Sequence, residues 1–97
     1  MSRPLRWPPL YVQGKAFVQG FADAGDGVFT PDRYREPLAQ IEYEAGWGFG
    51  RWCIRRGIRI RSFAEVDRQQ QWGEGSFHEY LMECPVNMPQ VRQQKDH

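Results

Sequence analysis

Five arginines fall between positions 51 and 61, namely Arg51, Arg55, Arg56, Arg59 and Arg61, and no acidic residue interrupts them. A run of this kind binds phosphate groups electrostatically, and each guanidinium can also stack on a nucleobase. The segment just before it, Gly46-Trp-Gly-Phe-Gly50, brings Trp47 and Phe49 to the same neighbourhood, and Trp52 lies within the run itself. If exposed, these rings would serve as stacking platforms for bases. The competing reading puts the rings in the core and makes the arginines a solvated face that pairs with Glu65, Asp67 and Glu74. Both readings stay open from the residues alone.

The other chemistry-bearing residues do not assemble into a site. His78 stands beside Glu79 and two residues after Ser76, but a nucleophilic triad needs a geometry that this spacing does not supply. Cys53, Cys84 and His78 are not at metal-ligand spacing and lack a fourth member, so no metal is expected. The glycines around Trp47 match neither a dinucleotide fingerprint nor a phosphate loop, so no cofactor is expected either. With no catalytic residues to name, the expectation is a non-enzymatic binding module without a small-molecule substrate.

Composition narrows the class further. A chain of 97 residues, 40% of them hydrophobic, makes one small core and one domain. Thirteen basic residues against twelve acidic leave a net charge of +1, so the positive charge is a local feature rather than a property of the whole. Two cysteines far apart suggest reduced thiols and a cytoplasmic location. No stretch reaches the roughly 18 apolar residues that span a bilayer, and Met-Ser-Arg-Pro-Leu-Arg-Trp-Pro-Pro is no leader peptide, so no membrane partner is expected.

The elements that must position the arginines follow from periodicity. Residues 1–9, with three prolines, read as an extended arm whose Trp7 could dock on the core. Leu10, Gly14, Phe17, Phe21 and Ala24 recur at helical spacing, and Gly25-Asp-Gly27 should close that helix. Thr30-Pro31-Asp32 carries a helix-start signal, but Pro37 follows; a short turn or a kink must separate it from a long helix over 37–56 ending at Gly57.

On that helix Leu38, Ile41, Ala45, Phe49 and Trp52 form one apolar stripe, while Gly46 and Gly50 make a smooth strip for a second helix. Whether that second helix is the first one, packed through Gly20, or belongs to another copy is open, as is oligomeric state. Three glycines weaken the helix, and a hairpin over 46–61 is the competitor, with Ile58-Arg-Ile-Arg61 as an extended piece. Ser62 followed by Glu65 is a capping box opening a helix to Trp72 with Phe63, Val66 and Gln70 inward. Ser76 would cap a last helix ending before Pro85, and 85–97 reads as a flexible tail. The fold expectation is mainly α, a helical hairpin carrying one or two short C-terminal helices within 1–84.

Residues 16–51 resemble the ribosome modulation factor family, small bacterial proteins associated with ribosome hibernation. The resemblance rests on Gly20-Phe-Ala-Asp-Ala-Gly25, on Pro31 and Tyr34 in the linker, and on Tyr43-Glu-Ala-Gly-Trp-Gly-Phe-Gly-Arg51. It implies a two-helix hairpin and contact with ribosomal or other structured RNA. This chain differs in its near-neutral charge, its acidic C-terminal third, the missing linker cysteine, and Tyr43 where the family has tryptophan. A second class of function fits the same balanced charge and aromatic content: a phage or mobile-element inhibitor of a host nucleic-acid-binding protein complex, similar to an anti-CRISPR. In it Glu65, Asp67, Glu74, Glu79 and Glu83 would imitate phosphate.

Overall fold

The structure, a computed structural model, describes residues 10–84 as four helices: α1 (Lys15–Asp26), α2 (Pro37–Arg56), α3 (Phe63–Trp72) and α4 (Ser76–Glu83). The expected arm, with Trp7, and the expected tail lie outside the described residues. Among the described residues there is no strand, so the helix over 46–56 prevails over the hairpin and Ile58–Arg61 is an irregular connection.

Glycine closes three of the helices. Gly57, at φ 70°, lets its own N–H reach Ile54 and the Ile58 N–H reach the Cys53 carbonyl at 2.9 Å, satisfying two orphan carbonyls at the end of α2. Gly27 and Gly73 end α1 and α3 by the same pair of bonds. The Ser62 hydroxyl accepts from the Glu65 N–H at 3.4 Å and starts α3.

Local signals misplace the starts of α1 and α4 and suggest a cap at Thr30 that does not form. α1 begins at Lys15, not Leu10, because the Gly14 N–H closes a turn on the Tyr11 carbonyl at 2.8 Å; Leu10 and Val12 are buried from that turn instead. Thr30 caps no helix; of the two arrangements expected after it, the short turn is the one present, and Pro37 occupies the first position of α2 as expected. Ser76 is the first residue of α4, with Gly75 as its cap. Leu38 leaves the expected apolar stripe and is 54% exposed, since no neighbouring element covers the first turn of α2.

α1 and α2 form the hairpin, with backbones so close that side chains are excluded from the seam. A methyl group on Gly20 would lie 2.8 Å from the Trp47 nitrogen and 2.9 Å from the Tyr43 carbonyl carbon, and one on Gly46 would lie 2.8 Å from the Phe17 carbonyl carbon. Gly50 faces the Ala24 methyl in the same way. The strip therefore packs on α1 of the same chain. Beneath it sits an aromatic core: Phe49 is fully buried, with its ring 6.1 Å from Phe17, 5.1 Å from Phe77 and 5.6 Å from Tyr80. Through Phe77 and Tyr80, α4 is fastened to the hairpin, and Gly48 leaves room for the Tyr80 hydroxyl.

One polar group enters this interior. The Tyr43 hydroxyl donates to Asp23 at 2.6 Å and accepts from the Thr30 N–H at 3.0 Å, joining α1, the linker and α2 at one atom. The Tyr43 hydroxyl, then the Gln19 amide at 2.8 Å, hold the Asp23 carboxyl below its ordinary value of 3.8, and Arg33 adds to the effect. A carboxyl lowered in the folded state stabilises the fold in full above the unfolded value and loses that contribution as pH falls through the lowered one. Tyr43→Phe is therefore expected to weaken the fold at neutral pH and flatten its acid dependence below about pH 4, read from urea midpoints across an acid series.

Candidate functional site

α2 carries most of the candidate site on its outward face. Residues 47, 51 and 55 stand one turn apart, with Ile54 beside them. Arg51, Arg55, Arg56, Arg59 and Arg61 are all exposed. Arg55 and Arg56 lie in the last turn of α2, where positive charge also complements the helix dipole. Arg59 and Arg61 follow on the connection to α3.

The five arginines are not equivalent. Arg56 is engaged within the fold: it pairs with Glu83 of α4, and its guanidinium lies 4.8 Å from the centre of the Trp52 ring. The pairing proposed with Glu65, Asp67 and Glu74 does not form. Glu65 pairs with Arg68 one turn on, and Asp67 accepts from Gln13 at 3.5 Å. Among the described residues Arg51, Arg55, Arg59 and Arg61 have no carboxylate partner. Four exposed positive charges on α2 and the connection after it are thus without a carboxylate partner among the described residues.

The rings divide in the same manner. Trp52 is 2% exposed, and its indole N–H donates to Glu83 at 3.2 Å; Phe49 is fully buried. Neither can stack on a ligand, because α4 covers this side of α2. Trp47 is half-buried: its indole N–H donates to the Val28 carbonyl at 2.7 Å, and Arg51 lies 5.9 Å from its ring centre. Phe29, 42% exposed, meets Trp47 edge-on at 4.9 Å. Phe29 and Trp47 thus make a ledge that continues into Arg51 and Arg55.

Phe29 and Ile54 are surface members the residue pattern did not single out. Phe29 lies in the linker and is drawn onto α2 by its ring contacts with Tyr43 and Trp47 and by the hydrogen bonds that Thr30 gives to Tyr43 and Val28 accepts from Trp47. Ile54, 54% exposed between charged neighbours, reads in a linear pattern as one more apolar helix residue.

The thiols and His78 are not gathered into one site. Cys53 is buried, and burial pushes its thiol up to about 11, so it is protonated at neutral pH and a poor nucleophile. Cys84 and His78 are half-buried on or beside α4. No helix among the described residues is long and apolar enough to cross a membrane.

Compared with family models, curated proteins and solved structures, the chain matches none. The functional reading rests on the residues themselves.

Proposed function

We propose that this chain is a non-enzymatic RNA-binding protein whose α2 face engages structured RNA, ribosomal RNA being the substrate that the resemblance of residues 16–51 suggests. One observation carries the reading: Arg51, Arg55, Arg59 and Arg61, within eleven residues of chain, are each exposed and without carboxylate partners among the described residues. Arginines paid out along a helix end and the connection after it present forks that match phosphate geometry. The Phe29–Trp47 ledge adds an aromatic edge beside them. Arg56 contributes to the fold through Glu83 and Trp52.

Each neutralised phosphate releases counterions, so affinity for an RNA hairpin should fall with salt at a log–log slope of about −3 to −4 for four contacts. Fluorescence anisotropy at several salt concentrations reads that slope directly. Arg55→Gln should reduce its magnitude by about 1, and the fourfold glutamine variant at 51, 55, 59 and 61 should lose binding. Arg56→Gln should instead lower the melting temperature. Binding indifferent to salt, or to the fourfold change, would overturn the reading.

A protein partner is the second reading, favoured by Trp72 and Met82, which are 75% and 70% exposed on the α3–α4 side, away from the arginines in sequence. It suits an inhibitor of a host nucleic-acid-binding complex. Recovery from lysate of one defined complex that survives ribonuclease and high salt would support it; ribosomal RNA recovered only at low salt would support the first.

A further inference from the structure

Between the C-terminal ends of α1 and α2 and the connection that follows lies a groove of about 380 Å³. Its apolar lining includes Phe21, Cys53, Ile54, Ile58 and Ile60, and Arg59 and Arg61 line it as well. Gly25 of α1 lines it as well, and a methyl group added there would meet nothing within 4 Å. The backbone N–H and C=O groups of Arg59, Ile60 and Arg61 have no hydrogen-bond partner among the described residues. Apolar side chains and two arginines therefore line one small space, beside a stretch of backbone without hydrogen-bond partners among the described residues.

We propose that this groove takes a single unpaired nucleotide of the bound RNA, a base turned out of a helix at a bulge or loop. A base is flat and apolar on its faces, with donors and acceptors along its edge, and it carries phosphates on both sides. The isoleucines and Phe21 cover its face, the free backbone of 59–61 meets its edge, and Arg59 and Arg61 hold the flanking phosphates. The volume lies at the small end of ligand sites, roughly 300–1,000 Å³, which suits one nucleotide and not a longer stretch. A paired duplex offers only phosphates to this face, because its bases are stacked away from the groove. The proposal rests on the RNA reading above and narrows it to RNA with an unpaired position.

Two blunt RNA duplexes with the same base pairs, one of them carrying a single bulged nucleotide and so one phosphate more, test it by anisotropy at one salt concentration. The bulged duplex is expected to bind roughly tenfold tighter, the effect of one stacked base. Gly25→Leu fills the groove from α1 while replacing a poor helix former, so its melting temperature should hold or rise. This variant should bind both duplexes with the affinity that the wild type has for the paired one. Ile54→Asn, an exposed and uncharged change, should reduce the same preference. Equal binding of the two duplexes by the wild type, or a preference that survives Gly25→Leu, would overturn the nucleotide site and leave the arginine reading intact. Failure to bind either duplex would overturn both.

Discussion

Gly46→Ala is expected to unfold this protein or leave it barely folded, although alanine is the better helix former. The new methyl group would lie 2.8 Å from the Phe17 carbonyl carbon and 3.0 Å from its Cα, with the carbonyl oxygen nearer still. These are backbone atoms of α1, so no rotamer change relieves the clash and the two helices must separate. Overpacking of this kind costs about 3 kcal/mol or more, against roughly 1 kcal/mol returned by helix propensity. A domain of this length has about 5–15 kcal/mol in all. Thermal melting followed by circular dichroism should show a large drop in midpoint. Gly25→Ala supplies the control on the partner helix: nothing lies within 4 Å of the added group, so the same chemical change should stabilise slightly. A Gly46→Ala protein that melts like the wild type would mean that α1 and α2 are not in this contact.

Phe49→Ala should be comparably damaging for the opposite reason, a void in place of a clash. Its ring lies within 6.1 Å of the rings of Phe17, Phe21, Trp52, Phe77 and Tyr80, and so joins both hairpin helices to α4. Truncating a fully buried phenylalanine costs about 3–5 kcal/mol, through lost transfer energy and the cavity left behind. Chemical denaturation should show the midpoint fall in urea. Phe49→Leu, which keeps most of the volume, should recover much of the loss. If Phe49→Ala lowers the midpoint no more than a surface change would, this six-ring cluster is not the core.

Much of the framework was legible in the residues because helix ends are decided within a few positions of themselves. Gly57 stops α2 through its own left-handed backbone, Pro37 starts it because a first-turn residue needs no N–H, and Ser62 opens α3 with its own oxygen. The same locality explains the errors. Thr30 has the form of a cap, but its N–H goes to Tyr43, thirteen residues away, and the segment is held as a turn by a partner that no local window contains. Gln40 completes that turn by accepting from the Tyr34 N–H at 2.9 Å and donating to the Thr30 carbonyl at 3.3 Å.

The candidate site divides along the same line. That five arginines follow Gly50 without an acid among them is a property of the chain, and so is the glycine strip that permits close helix packing. Which arginine is occupied was settled by folding, since Glu83 arrives from α4 to engage Arg56 and Trp52 and leaves the other four outward. Which ring is available was settled in the same way: α4 covers Trp52 and Phe49, whereas the linker brings Phe29 to the side of Trp47. The glycine and proline helix ends at Gly27, Pro37, Gly57 and Gly73 depend on the backbone and its nearest neighbours, and these the sequence by itself determined. Exposure depends on what packs over a face from elsewhere in the chain, and only the tertiary structure decided it.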